Sequence, residues 1–529
     1  MIFLQINNKM KLQINNPLAP MNTKNVFSLI VVLALCFVRA ESQDCNIIPY
    51  PQHVEIGDGE FSFNSSTTII ATDELSASAK LFADEVKDML GMDLKVISKG
   101  KMQGNIILIS EKKSSQPEAY ELKITSQNIE IKSASVSGIF YGLQSLKQLL
   151  ICSGKEVIKA QVITDLPRFS WRGVMLDVSR TFMPVNLVKR YIDLFSMYKL
   201  NVVHLHLTDD QGWRIEIKKY PLLTKVGSKF DPEFNTMGGY YSQDEIRDLI
   251  QYAELRNVML VPEIEMPGHA CAAIASYPEL SCDSVKPAIH TFFEGKSIHN
   301  EILCAGKEST YNMIFGILDE ICELFPSQYI HIGGDEAPKA AWEICPYCQK
   351  AMKDNNLLNE EELQSFFVKR VGDYIRGKNK TLVGWDEIID GGKLAGDEVL
   401  MFWRGWKLSE VEKEVKAGFR VVCTPTTNCY FDYPYDKIST RTIFDYDPVM
   451  PGTDEKNFLG IQANFWSHID RSEANIDKQL FPRILGLAET AWCSPDRKDW
   501  EQFSSAAIKN IDHLTRQHVN VYRDSTLVR

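Results

Sequence analysis

Two adjacent carboxylic acids, Asp335 and Glu336, are the residues of this sequence whose types and spacing point most directly to chemistry. They follow a short apolar run at 329–332 and two glycines, and a helix-forming stretch comes after them. Two neighbouring carboxyl groups partly closed to water cannot both ionise freely, so one is pushed towards its protonated form. The pair could supply an acid and an electrostatic partner, although acids at a helix start also commonly act as caps.

Eight short apolar strands alternate with helical segments along the second part of the chain, and one of these strands leads into the acid pair. A Ser242/Glu245 capping box begins one predicted helix, and Gly418 ends another. Eight strand–helix repeats predict a closed (β/α)8 TIM barrel over residues 166–529, ending in a C-terminal helix, with an open doubly wound sheet as the alternative topology. The predicted strands are 171–178, 202–207, 258–263, 329–334, 381–385, 399–403, 420–424 and 459–464.

Polar and aromatic residues lie at or beyond the C-terminal ends of these strands, where barrel enzymes keep their active sites. Indole faces stack on the apolar face of a sugar, while carboxylates and arginine bind its hydroxyls. This convergence favours a carbohydrate site over simple helix capping. The residues are Asp177, Arg180, His204, His206, Asp209, Asp210, Glu263, Glu265, His269, Asp335, Glu336, Trp385, Asp386, Glu387, Trp403, Arg404, Tyr430, Asp432, Trp466 and His468.

The region before the barrel, residues 41–165, has mixed patterns that predict a small α+β domain without a catalytic constellation. We expect a strand pair at 54–71, helices at 75–90 and 136–150, a strand at 105–110 and a hairpin at 120–131. The chain therefore has class α/β overall, with this domain placed before the barrel.

Charge and targeting signals limit the partners and the compartment. The formal net charge of -11 argues against a polyanion such as nucleic acid. Residues 1–40 have the pattern of a signal peptide with an upstream extension, and no stretch is a convincing membrane span. Two glycosylation sequons, Asn64-Ser65-Ser66 and Asn379-Lys380-Thr381, are consistent with export. We expect a protein of the secretory route, lysosomal or secreted, and a homodimer is a further expectation.

The cysteine spacing suggests local disulfide bridges. Cys282 with Cys304, and Cys345 with Cys348, are candidates for pairing. The Cys345-Pro-Tyr-Cys348 segment could also be half of a zinc knuckle, but no second CxxC or clustered histidine follows it. We therefore expect neither a metal nor another cofactor.

Four motifs, in this order, resemble glycoside hydrolase family 20, the β-N-acetylhexosaminidases. The resemblance covers nearly all of the chain after residue 40. The motifs are Trp171-Arg-Gly-Val-Met-Leu-Asp177, His204-Leu-His-Leu-Thr-Asp209-Asp210-Gln-Gly-Trp213, Glu263-Ile-Glu-Met-Pro-Gly-His269 and His331-Ile-Gly-Gly-Asp335-Glu336.

The resemblance implies a retaining exo-hydrolase that removes terminal β-linked N-acetylglucosamine (GlcNAc) or N-acetylgalactosamine (GalNAc) from glycans or chitooligosaccharides. Glu336 would be the general acid and then the base, and Asp335 would orient the acetamido nitrogen. The acetamido oxygen of the substrate would attack the anomeric carbon and form an oxazolinium intermediate. No cofactor is implied.

The same resemblance assigns residues around the sugar. Tyr430 would bind the acetamido oxygen, and three tryptophans would enclose its methyl group. His204, His206 and His331 are expected to be structural histidines. The remaining assignments are Trp385, Trp403 and Trp466 for the methyl box, Arg172 and Asp432 for ring hydroxyls, and Asp210 with His269 as support behind Glu336, where Asp209 is an alternative to Asp210.

One departure from the family pattern raises a second function. His468 stands where many members have a glutamate that contacts the outer hydroxyls, which affects discrimination between gluco and galacto sugars. It motivates the alternative of a catalytically inactive N-acetylhexosamine-binding protein. A third hypothesis is a glycosidase with a carboxylate nucleophile, for which Glu263 or Glu387 could be proposed.

Overall fold

Alternating apolar residues build a seven-stranded mixed sheet in the N-terminal region. The computed structural model describes residues 46–111, 115–153, 156–229, 238–289, 301–392, 394–467 and 472–527. The sheet has the order β1-β7-β5-β6-β4-β2-β3. Its strands are β1 (His53–Ser62), β2 (Thr68–Ile70), β3 (Lys95–Ile97), β4 (Ile106–Ser110), β5 (Tyr120–Ile124), β6 (Ile129–Ser133) and β7 (Val157–Asp165).

The predicted hairpin is confirmed as β5 and β6, which alternate buried and less buried residues as a one-sided sheet should. Two helices, α1 (Ser76–Leu90) and α2 (Val136–Ser153), accompany the sheet at the predicted places. Sequence patterns missed β7, although it pairs with both β1 and β5 in the sheet. Its Lys159 and Gln161 interrupt the apolar run that would have signalled a strand.

The predicted eight-stranded barrel is confirmed, and the open-sheet alternative is wrong because the sheet closes. A two-residue pair, β10 (Thr208–Asp209) and β11 (Gly212–Trp213), lies outside the barrel sheet. Every closing pair is parallel, and the closed order is β12-β13-β14-β15-β16-β17-β8-β9. The barrel strands are β8 (Trp171–Asp177), β9 (Val202–His206), β12 (Met259–Glu263), β13 (Tyr329–His331), β14 (Thr381–Trp385), β15 (Val399–Phe402), β16 (Arg420–Cys423) and β17 (Phe458–Phe465).

Helices cover the outside of the barrel, and their ends follow local sequence signals. The Ser242 side chain accepts from the Glu245 N–H in the predicted capping box, and Gly418 ends its helix with φ +109°. In the described residues no helix is long and apolar enough to cross a bilayer. These helices are α3 (Val185–Met197), α4 (Leu222–Gly227), α5 (Gln243–Glu254), α6 (Cys271–Ser276), α7 (Glu308–Leu324), α8 (Ala340–Ile344), α9 (Pro346–Asp354), α10 (Glu360–Gly377), α11 (Leu408–Ala417), α12 (Thr440–Phe444), α13 (Glu473–Leu480), α14 (Arg483–Trp492) and α15 (Trp500–Arg516).

A buried ion pair joins the N-terminal sheet to the barrel. Lys199 follows α3 and places its Nζ atom 2.9 Å from Asp165 Oδ2 at the end of β7, with both side chains fully buried. The Tyr120 hydroxyl lies 2.9 Å from the same Nζ atom, and Trp492 Nε1 donates to Asp165 Oδ1. Each charged group thus has several partners, as a buried pair requires.

Candidate active site

The acid pair lies on a tight corner after β13. Gly333 and Gly334 adopt φ +68° and +96°, and Glu336 itself adopts φ +46°. A Cβ atom at Gly333 would lie 1.6 Å from Glu265 Oε2. The carboxyl group of Glu265 therefore has room at this position only because residue 333 is a glycine. The unusual backbone of Glu336 is the kind of local strain that folded proteins keep at functional sites.

Asp335 and Glu336 converge on one imidazole. His269 Nε2 lies 3.6 Å from Asp335 Oδ2 and 3.5 Å from Glu336 Oε2. On the opposite side of the ring, Nδ1 lies 3.2 Å from Asp209 Oδ1 and 3.5 Å from Asp210 Oδ2. The structure therefore brings His269 behind the acids as predicted, and both aspartates contact it, Asp209 more closely.

Burial and charge shift the protonation of this group. Burial acts to lower the pKa of His269, but Asp209 and Asp335 override it and hold that pKa well above its ordinary value. Burial, with the charges of Glu336 and Glu263, raises the pKa of Asp335 to about 6 against the opposing effect of His269. Near neutral pH an imidazolium thus faces an ionised Asp335.

A chain of contacts between imidazoles and carboxylates continues from His269 into the barrel interior. Asp209 Oδ2 lies 2.8 Å from His206 Nε2, and the other nitrogen of His206 contacts Glu263. His204 Nε2 and His331 Nδ1 lie 3.1 and 2.8 Å from Glu263. Burial alone would raise the pKa of Glu263, but His331 and His206 hold it well below its ordinary value. The three histidines pair with a buried acid.

Four aromatic side chains form one wall of the site. The ring centroids of Trp466 and Trp385 are 5.9 Å apart, those of Tyr430 and Trp466 are 6.2 Å apart, and those of Trp403 and Tyr430 are 6.3 Å apart. The Trp385 N–H donates to the Gly333 carbonyl at 2.9 Å, which fixes this wall against the acid corner. The predicted tryptophans and Tyr430 are therefore brought together.

Carboxylates that do not face the wall hold its backbone in place. Asp386 accepts from the N–H groups of Trp403 and Arg404 at 2.9 and 3.2 Å, and its other oxygen accepts from the Arg404 guanidinium. Asp177 accepts from Ser467 N–H at 2.9 Å, next to Trp466. These contacts explain why acids follow β8 and β14.

Several buried polar atoms of the site have no hydrogen-bond partner among the residues that the structure describes. They include Asp335 Oδ1, Trp385 Nε1 and Trp403 Nε1, together with Arg180 Nε and both carboxyl oxygens of Glu265. Buried polar atoms cost free energy when they are unpaired, so native proteins pair nearly all of them. Their common location beside the acid corner indicates a polar ligand with both donors and acceptors.

Two further carboxyl groups, Glu387 and Glu265, adjoin the acids; from sequence, Glu387 has only the role of a possible nucleophile and Glu265 has no role. Burial raises the pKa of Glu387 to about 8, with Asp335 contributing, and Glu387 Oε2 accepts from the Glu336 N–H at 3.3 Å. Burial and Asp335 hold the pKa of Glu265 well above its ordinary value. Both follow strand ends, as the sequence predicted.

The prediction that Arg172 binds the sugar is wrong. Arg172 is the second residue of β8, at the end of the barrel opposite the site. Its Nε atom donates to the Lys199 carbonyl at 2.8 Å, and its Nη2 atom contacts Tyr141 Oη and Glu118 Oε1 at 2.7 and 2.9 Å. All these partners belong to the junction with the N-terminal sheet, so the guanidinium is fully used there.

Arg180, which follows the C-terminal end of β8, occupies the site in its place. Its guanidinium carbon lies 4.8 Å from the ring centroid of Trp466, and Nη2 lies 2.7 Å from Asp209 Oδ2. Asp177 accepts from its Nη1 at 3.3 Å, and Nε is buried without a hydrogen-bond partner in the described part of the chain. Strand direction alone could have distinguished the two arginines.

Of the remaining predicted features, one residue lies in the site and others lie outside the described residues. Asp432 is nearly buried two residues after Tyr430, and burial raises its pKa to about 7. His468 and the signal segment 1–40 lie outside the described residues.

The two predicted cysteine bridges are not formed, because Cys282, Cys304, Cys345 and Cys348 are all free thiols within one cluster.

Fold and site together define a barrel enzyme that acts on carbohydrate, with an acid pair beside an aromatic wall. A model of the catalytic domain of glycosyl hydrolase family 20 matches residues 169–495, and a model of domain 2 of that family matches residues 44–166. The chain belongs to glycosyl hydrolase family 20.

Individual relatives agree with this assignment. A β-hexosaminidase of Porphyromonas gingivalis is 38% identical over 508 residues, covering 90% of this chain and 64% of that protein. The chain thus spans less than two thirds of the length of that relative. An exo-β-N-acetylglucosaminidase of Vibrio harveyi, solved with GlcNAc, is 30% identical with a TM-score of 0.82, over 91% of this chain and 79% of that one. A Streptomyces coelicolor β-N-acetylhexosaminidase has a TM-score of 0.82 at 29% identity, over 91% and 98% of the two chains.

Proposed function

We propose that this protein hydrolyses terminal β-linked GlcNAc or GalNAc from glycans or chitooligosaccharides, with retention, using the acetamido group of the substrate as nucleophile. The observation that carries the proposal is the placement of Asp335 and Glu336 around His269, against the wall that contains Tyr430. The relatives named above support the sugar class. The barrel position supports an active site at the C-terminal strand ends.

Glu336 is the proposed general acid and base. Its side chain is about one-third exposed, more than that of Asp335, so it can reach a leaving oxygen. His269 Nε2 contacts the Glu336 carboxyl, and the Glu387 carboxyl accepts a hydrogen bond from the Glu336 N–H. Protonation of the leaving oxygen by a positioned acid increases the rate of such reactions by about 10²- to 10⁴-fold.

Asp335 is the proposed partner of the acetamido nitrogen. Its Oδ1 atom is buried without a hydrogen-bond partner among the described residues, whereas Oδ2 faces His269. An ionised Oδ1 can accept from the amide N–H and offset the positive charge that develops as the oxazolinium ring closes. The neighbouring tryptophans and Tyr430 then enclose the acetamido methyl and oxygen.

The alternative with a carboxylate nucleophile is disfavoured by the charges of the site. Glu263 is fully buried and contacts three histidines, so it has no path to an anomeric carbon. Glu387, with its pKa near 8, is protonated at neutral pH and is a poor nucleophile. Asp335 shares His269 with the acid, whereas a nucleophile must approach from the opposite face of the sugar.

The Glu336→Gln variant tests the assignment of the acid. With chitobiose as substrate, whose leaving group is the poorly departing hydroxyl of a second sugar, we expect kcat to fall by about 10²- to 10⁴-fold, because protonation is lost. With a nitrophenyl leaving group, which needs little protonation, the loss should be smaller. Steady-state kinetics with both substrates measures this difference.

Glu343→Gln is the matched control, since Glu343 is exposed on the helix after the acid corner. It should retain the activity of the original protein towards both substrates. Full activity of Glu336→Gln towards chitobiose would contradict the assignment. Binding of GlcNAc by the unaltered protein without any turnover would instead support the sugar-binding alternative.

Compartment and assembly are part of the proposal on sequence grounds. The signal-like segment 1–40 and the two sequons support action on the secretory route, in lysosomes or outside the cell. A homodimer is the proposed assembly, because two-fold pairing is the commonest form of soluble oligomer.

A further inference from the structure

Four cysteines, Cys282, Cys304 and the Cys345/Cys348 pair, bring their sulfur atoms together beside the barrel. Cys304 Sγ lies 3.8 Å from Cys345 Sγ and 3.6 Å from Cys348 Sγ, and Cys348 Sγ lies 3.8 Å from Cys282 Sγ. All four sulfurs are within 4.8 Å of one another, and all four side chains are buried. This cluster is distinct from the acid site and has no role in the mechanism above.

The spacing of the sulfurs matches a tetrahedral metal site. A Zn–S bond of about 2.3 Å in a tetrahedron places neighbouring sulfurs about 3.8 Å apart. A disulfide gives each sulfur one partner at about 2.05 Å. In the structure Cys304 and Cys348 each contact two other sulfurs at similar distances, so the cluster is not divided into pairs.

We propose that Cys282, Cys304, Cys345 and Cys348 bind one structural Zn²⁺ ion as thiolates. Soft thiolate ligands in tetrahedral geometry select zinc over the oxygen-preferring divalent cations. With four protein ligands the ion has no open position for water, which is the arrangement of structural rather than catalytic zinc.

The chain is shaped to bring these ligands together. Ser281 and Leu303 form a β-bridge, and the Cys304 N–H donates to the Leu280 carbonyl at 2.8 Å, so Cys282 and Cys304 are held side by side. A Cβ atom at Gly306 would lie 2.2 Å from the carbonyl carbon of Tyr347. Only a glycine allows this segment to approach the Cys345-Pro-Tyr-Cys348 turn so closely.

The surroundings of the sulfurs favour thiolates. Cys345 is the N-cap of α9, a nine-residue helix, where the helix dipole and free N–H groups stabilise negative charge. Lys307 lies next to the cluster, with Nζ 2.7 Å from the Ser281 carbonyl. A zinc ion with four thiolates carries two negative charges; Lys307 lies beside them, but its Nζ atom also lies 2.6 Å from Asp283 Oδ1, so its charge is shared with that carboxylate.

The zinc would connect the two loops that carry the catalytic groups. The Leu303 N–H donates to the Pro267 carbonyl at 2.9 Å, two residues before His269. Trp342 Nε1 donates to the Leu303 carbonyl at 2.9 Å, six residues after Glu336. The ion is therefore a positioning element: it holds the chain beside His269 and the chain beyond Glu336 in one unit.

Metal analysis of the untagged full-length protein tests the proposal. We expect about one equivalent of zinc per chain, and we expect anaerobic exchange with Co²⁺ to give the thiolate charge-transfer and d–d absorption of a tetrahedral tetrathiolate site. Peptide mapping that finds cystine bridges among the four residues would overturn it. Reduced protein that takes up neither Zn²⁺ nor Co²⁺ would overturn it equally.

Three variants keep the test valid even when one of them folds poorly. Cys345→Ser should lose the zinc, whereas Cys345→His should retain it, because histidine also binds zinc. Cys152→Ser, a free cysteine outside the cluster, is the matched control and should keep full zinc content. Equal zinc content in Cys345→Ser and the original protein would exclude the assigned ligands.

Discussion

At the scale of single residues, the protonation of Asp335 decides whether the proposed chemistry can occur. Its pKa is raised to about 6 by burial and by nearby carboxylates, so it is protonated below that pH and ionised above it. A protonated Asp335 cannot offset positive charge on the acetamido nitrogen. Activity should therefore rise with pH through about 6.

The pH dependence of kcat/KM for a GlcNAc substrate measures this effect. We expect an acidic limb near pH 6 in the original protein and none in Asp335→Asn. In His269→Asn the limb should move to higher pH, because His269 opposes the raised pKa of Asp335. A limb that keeps its position in both variants would show that another group controls it.

Residue-level predictions from the sequence succeeded where strand direction determined the position of a side chain. The acids, Tyr430 and the tryptophans follow strand ends and meet as expected. Arg172 failed because it belongs to a recognisable motif but stands at the start of β8. Arg180, after the end of that strand, was among the converging residues and was given no role.

The distinction between these two arginines can be measured. Arg180→Lys should raise KM by at least about tenfold, because lysine cannot reproduce the planar fork of a guanidinium. Arg172→Lys should leave KM unchanged but destabilise the fold by about 1–3 kcal/mol, since buried partners lose a donor. Kinetics and thermal unfolding of both variants give the two readouts. An increase in KM for Arg172→Lys alone would contradict the site described above.

At the scale of elements, the corner after β13 depends on a glycine that contacts a carboxyl group. Gly333→Ala would place a methyl group on Glu265, in a backbone region with positive φ. We expect kcat to fall by about 10²-fold, because a catalytic group displaced by about 1 Å costs that much. Kinetic assays of the purified variant measure it.

Gly392 provides the control for this change, because it has the same φ of +68° with nothing within 4 Å of an added Cβ. Gly392→Ala should lose about 1–2 kcal/mol of stability through backbone strain alone, and it should keep its activity. Equal losses of activity in the two variants would show that strain rather than the contact with Glu265 matters.

The elements themselves were largely predictable. All eight barrel strands were found because parallel strands buried on both faces appear as continuous apolar runs. Strand β7 was missed because its polar residues break the run, and its pairing with β1 and β5 depends on residues far away in sequence. Patterns within a short window cannot show such partners.

At the scale of the whole molecule, the structure shows contacts between distant parts of the chain that the spacing of motifs in the sequence did not predict. The Cys345-Pro-Tyr-Cys348 turn looked like half of a metal motif, because the other two cysteines of the cluster, Cys282 and Cys304, lie more than 40 residues earlier in the sequence. Two loops of the barrel must meet before four ligands exist. The junction of barrel and N-terminal sheet is similar, since Lys199 and Asp165 meet only in the folded chain.

The central claim is that the acetamido oxygen of the substrate is the nucleophile. The most direct measurement is kcat for nitrophenyl glucosaminides whose N-acetyl group carries zero, one, two or three fluorine atoms. Fluorine withdraws electrons from the amide oxygen, so we predict a steep, progressive fall in kcat along the series. A rate that is independent of fluorination would contradict the account and indicate a nucleophile supplied by the protein.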